Sequence, residues 1–202
     1  MEDVNLKIIG ITGSSGSGKT TLSKILNERE DVKVIDADKI VKEMSVPGTE
    51  YLNAIKDKFG TEVFFEDGNL NRKALASKIY SENSAREELN KLTFKYVVDE
   101  MLFRIKQITL NETNIKIVVI DAPLLLEAGL DKVCDYVVAL VADKELKIKR
   151  ICQRDNIDEK TAESRLNIQN DDKFYTDKAD FVIVNSKNCD LKNEIEKVLK
   201  EI

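Results

Sequence analysis

The apolar residues of this chain form short runs that alternate with helical patterns. Runs of this length and content are typical of strands buried in a parallel sheet. The predicted strands cover residues 6–12, 32–35, 115–120, 136–141 and 181–184. Because a helical pattern separates each strand from the next, the sequence predicts a three-layer α/β fold with right-handed crossovers around a five-stranded parallel sheet.

Residues 47–110 depart from this alternation because they carry helical patterns only. The last predicted helix of this stretch covers roughly residues 84–108. Its apolar side chains form one stripe, which we interpret as core packing. They are Val97, Met101, Ile105 and Ile108. The stretch is too long for an ordinary crossover, so we expect a helical insertion beside the sheet.

Residues 13–20, "GSSGSGKT", fit the P-loop pattern G-x-x-x-x-G-K-[ST] between a predicted strand and a predicted helix. In such a loop, glycines and the helix N-terminus let backbone N–H groups face phosphate oxygens. Lys19 would reach the β- and γ-phosphates, and the Thr20 hydroxyl would bind Mg²⁺. The alternative is a flexible surface loop, which the flanking strand and helix disfavour. The predicted nucleotide-binding residues here are Gly13, Ser15, Gly16, Ser17, Gly18, Lys19, Thr20 and Thr21.

Three classes of protein share this loop: switch GTPases, ATPases that couple hydrolysis to movement, and small-molecule kinases. A Ras-type GTPase would carry N-K-x-D to bind guanine, but the one "NK" pair, Asn90-Lys91, continues as Leu-Thr. A motor ATPase commonly has Glu after the strand-ending Asp, whereas Asp121 is followed by Ala122. Both comparisons favour a kinase without deciding the question.

Two acidic residues and two arginines are candidates for the chemistry. Asp36 and Asp38 end the second predicted strand, where a carboxylate could accept a proton from an acceptor hydroxyl. The alternative is that Asp36 caps the next helix and Asp38 is solvated. Arg150 and Arg154 are four residues apart and share a helix face, which suits a lid over a polyphosphate. An ordinary charged helix face is the alternative.

Composition narrows the class of protein. Apolar residues make up 42% and charged residues 34% of the chain, which predicts one soluble domain. The net charge is −5, so the chain lacks the overall positive potential that is typical of nucleic-acid-binding proteins. The chain has no His, which excludes Ser-His-Asp and Cys-His catalysis, and its three Cys show no metal or disulfide spacing. The acidic start "MEDVN" does not resemble a signal peptide and no apolar run could span a membrane, so we expect a cytoplasmic protein.

Taken together, the motifs resemble the dephospho-CoA kinase family over nearly the whole chain. The resemblance is carried by "GITGSSGSGKTTLSKIL", "VIDADKIVKEM", "DGNLNRKALASKIY", "VIDAPLLLEAGLDKVCDYVVAL", "KRICQRD", "ESRLNIQ" and "KADFVIVNS", which run in the family's order. It implies a P-loop kinase for the last step of coenzyme A synthesis. Such an enzyme passes the γ-phosphoryl group of ATP, with Mg²⁺, to the ribose 3′-hydroxyl of dephospho-CoA.

The resemblance also implies roles for individual residues. Asp38 is the expected base, and Asp36 is the second candidate. Lys19 and Arg150 would stabilise the negative charge of the phosphoryl group during its transfer. Further residues are expected to bind or support the substrates. They are Arg154 in the lid, Arg72 in the insertion, Asp121, Leu124 and Glu127 near the acceptor, and Asn185 near the adenine of ATP.

The same resemblance divides the chain into functional regions. A nucleotide-binding core would comprise residues 1–46, 111–142 and 171–202, an acceptor-binding insertion residues 47–110, and a lid residues 143–170. We expect a monomer, an oligomer being the alternative. One departure concerns the insertion: family members usually carry His-Pro where this chain has Thr93-Phe94, so any contact of that His must be made otherwise or not at all.

Overall fold

The computed structural model describes residues 6–81 and 83–202, so the acidic segment "MEDVN" lies outside the described residues. The described residues form a five-stranded sheet of order β2-β3-β1-β4-β5. The strands are β1 Lys7–Thr12, β2 Val32–Asp36, β3 Ile117–Asp121, β4 Tyr136–Val141 and β5 Phe181–Val184. In register, Ile9 of the central strand pairs in parallel with Val119 on one side and Tyr136 on the other. The predicted α/β class and five-stranded parallel sheet are confirmed.

Helices connect most of these strands, but β3 and β4 are joined by turns and a short 3₁₀ helix, Leu130–Val133, so the helical pattern predicted between these two strands is wrong. The bounds of the α-helices are α1 Lys19–Asn27, α2 Ala37–Met44, α3 Glu50–Phe59, α4 Arg72–Ser81, α5 Asn83–Asn111, α6 Lys144–Asp155, α7 Glu159–Asn167, α8 Asp172–Thr176 and α9 Leu191–Glu201. The chain divides into two compact units, residues 1–35 with 108–202 and residues 36–107. The functional roles and boundaries that the sequence suggests for core, insertion and lid stay predictions.

The first unit contains the sheet and its apolar core. Ile9, Val119 and Leu140 of the three central strands are fully buried, as are Leu22 and Leu26 on one face of α1. Fully burying an aliphatic side chain of this size contributes about 1.5–3 kcal/mol, so this cluster holds α1 firmly against the sheet. The sheet therefore fixes where α1 begins, and with it the loop of residues 13–20.

The second unit has a separate core formed largely by helices. Its buried cluster comprises Tyr51, Leu52, Ile55, Phe59, Val63, Leu75 and Ala85. The stripe predicted on the long helix is buried as expected: Val97, Met101 and Ile105 of this unit are at most 8% exposed, and Ile108, which belongs to the first unit, is 6% exposed. Residues 47–110 are not purely helical, however, because Phe64 and Leu70 form a short antiparallel bridge. The bridge closes a turn in which Asp67 accepts a hydrogen bond from the Asn69 backbone, a typical Asx turn.

Candidate active site

The loop of residues 13–20 has a backbone that requires glycine at three positions. Gly13, Gly16 and Gly18 have φ values of 137°, 78° and 113°, which side chains rarely tolerate. A Cβ atom on Gly16 would lie 2.6 Å from the Lys147 carbonyl oxygen. On Gly18 it would lie 2.1 Å from Nδ2 of Asn185. The glycines therefore allow both the loop's turn and its close contact with neighbouring elements.

The helix that follows this loop presents an open N-terminus. Gly18 is the N-cap of α1, and no side chain caps the first turn. Thr20 and Thr21 lie in that turn and are exposed. Free N–H groups and the positive end of the helix dipole favour an anion at this position. Thr20 and Thr21 thus lie at an end of the helix that favours anions, and their predicted phosphate contacts stay predictions.

Arg150 binds the loop on the side where the carbonyl groups of Gly16 and Ser17 point, which we call the back of the loop. Its guanidinium donates to the carbonyl oxygens of Gly16 at 3.1 Å and Ser17 at 3.4 Å. Asn185, which is 6% exposed, donates to the same Ser17 carbonyl at 2.7 Å and accepts a 3.3 Å bond from Arg150. Because C=O and N–H of a trans peptide point in opposite directions, these bonds turn the Gly18 N–H toward the other face of the loop. The predicted residues Arg150 and Asn185 both lie at the loop.

Lys19 lies on the loop as the motif predicts. Its ammonium group donates to the carbonyl oxygen of Gly13 and, at 3.2 Å, to that of Ser14. One turn later, Ser23 donates a 2.5 Å bond to the carboxylate of Asp121, which ends β3. The strand end and the first turns of α1 are thereby joined directly. Asp121 thus lies beside the helix that follows the loop.

Arg154 has a different environment from Arg150, although the two share a helix. Its guanidinium binds Asp155 at 2.7 and 3.0 Å, and Arg165 donates to the same carboxylate at 2.8 Å. These charges lower the pKa of Asp155 and keep it ionised. The structure thus brings Arg150 to the loop and places Arg154 in an exposed ion pair, so its predicted lid role stays a prediction.

The sequence did not predict the contacts that three residues, Lys147, Gln169 and Asp172, make with the loop. Lys147, only 6% exposed, binds Ser14 Oγ at 3.2 Å and Asp172 at 2.8 Å. Gln169 accepts a 2.8 Å bond from the Ser15 N–H and donates a 3.0 Å bond to its hydroxyl. The spacing of three residues between Lys147 and Arg150 indicates that both lie on one face of the helix. This spacing could have indicated from the sequence that Lys147 also faces the loop.

Glu127 and Leu124 follow β3 in the turns of the "PLLLE" segment. Glu127 accepts a 2.9 Å bond from Asn170, while Leu124 is 43% exposed. The nearby Tyr175 is buried, and burial, assisted by the charges of Glu127 and Asp172, raises its pKa to about 12. The Tyr175 phenol is therefore neutral at physiological pH. The predicted acceptor contacts of Glu127 and Leu124 stay predictions.

The two carboxylates of "DAD" differ in their local roles. Asp36 is the N-cap of α2 and accepts a 3.0 Å bond from the Lys39 N–H, which is the capping alternative considered above. Asp38 lies in the first turn of that helix and is exposed. Its carboxylate makes no hydrogen bond or ion pair within the described residues. Asp38 is therefore the carboxylate available to a ligand.

In the second unit, Thr93 binds Tyr51, and Arg72 acts on the same tyrosine through its charge. Tyr51 and Thr93 share a 3.0 Å hydrogen bond between their hydroxyls. Burial raises the pKa of Tyr51, while the Thr93 bond and the charge of Arg72 oppose that rise. A groove of about 350 Å³ beside this tyrosine is also lined by Tyr96 and Lys95. Thr93, at the position where the resemblance predicts a His, is thus hydrogen-bonded to Tyr51.

The residues at the loop fit a Mg²⁺ ion that binds mainly to a nucleotide. No group of three or more Asp, Glu, Cys or His side chains in the described part of the chain could hold a metal by itself. Mg²⁺ in kinase sites usually takes only one or two protein oxygens together with phosphates and water. The exposed hydroxyl of Thr20 and the carboxylate of Asp121 are oxygen donors of that kind.

Comparisons with known proteins identify the family of this chain. The sequence model described as Dephospho-CoA kinase matches residues 7–190. The dephospho-CoA kinase of Fusobacterium nucleatum is 34% identical over 200 residues, covering 98% of this chain and 100% of the relative. The dephospho-CoA kinase structure from Campylobacter jejuni has a TM-score of 0.67 at 28% identity and covers 96% of both chains. A Thermus thermophilus crystal structure shares the fold, with a TM-score of 0.80, 24% identity and 98% of both chains covered. Because the family model matches residues 7–190 and a relative of 34% identity is covered over its full length, the chain belongs to the dephospho-CoA kinase family.

Proposed function

We propose that this protein transfers the γ-phosphoryl group of ATP to the ribose 3′-hydroxyl of dephospho-CoA, giving CoA and ADP. The observation that carries the proposal is the glycine loop, whose carbonyl groups are bound from behind by Arg150 and Asn185. This arrangement leaves the Gly18 N–H and the open end of α1 for the phosphates. Membership of the family supports dephospho-CoA as the acceptor.

On the donor side, two cations and the loop amides stabilise the transferring group. Lys19 lies within reach of the loop carbonyls and exchanges them for the β- and γ-phosphate oxygens. Arg150 contributes its charge from the back of the loop and fixes the direction of the peptides. Mg²⁺, when bound by Thr20 and Asp121, neutralises phosphate charge. This preorganisation is the main source of rate enhancement in phosphoryl transfer.

On the acceptor side, we assign the base to Asp38. Asp38 follows the carboxyl end of β2, and open α/β sheets bind their ligands at the carboxyl ends of the strands. Its neighbour Asp36 already uses its carboxylate to cap α2. Asp38 therefore orients the 3′-hydroxyl and accepts its proton as the bond to phosphorus forms. Asp36 is the second candidate for this role.

The second unit supplies the surface on which the acceptor is recognised. Arg72 offers a positive charge for the phosphates of dephospho-CoA, and it lies in the electrostatic range of Tyr51. Tyr51 is bound to Thr93, so the two hydroxyls take the place of the family's His in organising this region. Leu124 and Glu127 contact the acceptor from the segment after β3, while Asn185 supports the loop near the adenine end.

The direct test measures ADP formation from ATP and Mg²⁺ with and without dephospho-CoA, and with adenosine or uridine instead. We expect ADP release that depends on dephospho-CoA and a product phosphorylated at the 3′-position, identified by mass spectrometry and ³¹P NMR. Preference for a nucleoside would favour another P-loop kinase. Equal hydrolysis with and without any acceptor would favour a nucleotide-binding switch and overturn the proposal.

A further inference from the structure

A short segment after α7 contacts the phosphate loop with two of its side chains. We call residues 169–172 the strap. Its first residue, Gln169, binds both the N–H and the hydroxyl of Ser15, at 2.8 and 3.0 Å. Its last residue, Asp172, binds Lys147 and lies 3.4 Å from the Ser14 hydroxyl. The strap therefore reaches two successive residues of the loop.

The ion pair that ends the strap is partly removed from water. The side chain of Lys147 is 8% exposed and that of Asp172 is 35% exposed. The ammonium group binds both oxygens of the carboxylate, at 2.8 and 3.0 Å, and Ser14 Oγ at 3.2 Å. A buried ammonium is unfavourable unless it is paired, so Asp172 and Lys147 hold each other in place.

Lys147 also touches the loop through its backbone. A Cβ on Gly16 would lie 2.6 Å from the Lys147 carbonyl oxygen and 2.8 Å from its Cα. The same residue therefore supports Gly16 by direct packing and Ser14 by its ammonium group. Arg150, the other α6 residue at the loop in the described part of the chain, binds only carbonyl groups of the loop. Lys147 differs because it contacts the loop through both its side chain and its backbone.

The strap fixes the direction of one peptide in the loop. The Ser14 carbonyl accepts a bond from Lys19 at 3.2 Å, and the Ser15 N–H on the opposite side of the same peptide donates to Gln169. C=O and N–H of a planar trans peptide point in opposite directions, so two partners on opposite sides prevent its rotation. The peptide thus keeps its carbonyl beside Lys19.

We propose that Lys147 and Asp172 are positioning residues for the phosphate-binding loop. Their ion pair holds the strap so that Gln169 fixes the Ser14–Ser15 peptide before the nucleotide arrives. Because the loop is already ordered when the nucleotide arrives, the free energy of binding is not reduced by the cost of ordering it. The ion pair therefore strengthens the binding of ATP and ADP. This inference rests on the proposed role of the loop as a nucleotide site.

The experiment is calorimetric titration of the full chain with ADP and Mg²⁺. We expect Lys147→Met to weaken ADP binding about tenfold, equivalent to about 1.4 kcal/mol. Asp172→Asn is expected to weaken it further, because it leaves a buried ammonium without a carboxylate. Lys144→Met is the matched control, since Lys144 lies on the same helix and forms an exposed 2.6 Å ion pair with Glu163. It should bind ADP as the wild type does.

Steady-state kinetics separates positioning from general damage to the fold. In Lys147→Met the KM for ATP should rise while the KM for dephospho-CoA stays unchanged. Gln169→Ala removes an exposed side chain, so it reports on the strap even where the Lys147 and Asp172 variants fail to fold. Unchanged ADP affinity in Gln169→Ala, or an equal loss in Lys144→Met, overturns the inference. Failure of the wild-type protein to bind ADP would instead refute the proposed function.

Discussion

Replacing Asn185 tests whether the loop depends on support from behind. Asn185→Ala removes the 2.7 Å bond to the Ser17 carbonyl and the 3.3 Å bond with Arg150. The Ser17 carbonyl then keeps only a long 3.4 Å contact from Arg150. An unsatisfied buried carbonyl costs about 1–3 kcal/mol, and we expect a loss near 2 kcal/mol. For a chain of this length, that corresponds to a melting temperature lower by about 4–8 °C.

Asn185→Asp separates the hydrogen bond from the shape of the side chain. The substitution keeps the volume, but Nδ2 becomes an oxygen that faces the Ser17 carbonyl at 2.7 Å. Two acceptors at this distance repel, and the attraction of the new carboxylate to Arg150, whose contact is a long 3.3 Å, offsets only part of that repulsion, so we expect a loss of stability comparable to that in Asn185→Ala. The added negative charge beside the phosphate loop should also weaken ADP binding more than the alanine substitution does.

The assay is thermal and urea unfolding of each variant, with ADP titration in parallel. Asn193→Ala, on the exposed surface of α9, is the control and should change stability by no more than about 0.5 kcal/mol. A melting temperature within about 1 °C of the wild type in Asn185→Asp would refute the reasoning, because an isosteric change would then cost nothing.

Three further predictions concern the base, the loop and the half-buried thiol of Cys134. Asp38→Asn should lower kcat by roughly 10²–10⁴-fold at unchanged ATP affinity. Asp36→Asn retains the helix cap and should keep most of the activity. The reverse result in ADP-release assays would assign the base to Asp36. Gly16→Ala should abolish tight ADP binding, because a Cβ at this position would meet the α6 backbone. Gly48 has a similarly positive φ but lies in open space, so Gly48→Ala is the control and should bind ADP normally. Equal ADP affinity of both variants by calorimetry would contradict this prediction. Burial and nearby carboxylates raise the pKa of the Cys134 thiol to about 12, so only about one thiol in ten thousand is ionised at pH 8. Native Cys134 should therefore resist alkylation that labels it in denaturant, as followed by mass spectrometry, and fast native labelling would contradict its burial.

Local sequence was sufficient for the fold class and for the loop. Strands buried on both faces require continuous apolar runs, which is why all five strands were predicted within two residues at each end. The third strand begins at Ile117 rather than at 115, because the N–H groups of Lys116 and Ile117 both bind the Asp31 carbonyl. The P-loop is likewise a contiguous motif whose glycines are needed for local backbone reasons.

The sequence by itself determined which residue types stand at the loop and at the strand ends; the tertiary structure alone decided which of them meet. Arg150 and Arg154 are the same residue type on one helix face, yet only Arg150 reaches the loop, because Asp155 binds Arg154. Lys147 and Asp172 are 25 residues apart, and no local pattern pairs them. Their contact arises because packing brings α6 and α8 together on one loop, and a charge removed from water there must find a partner.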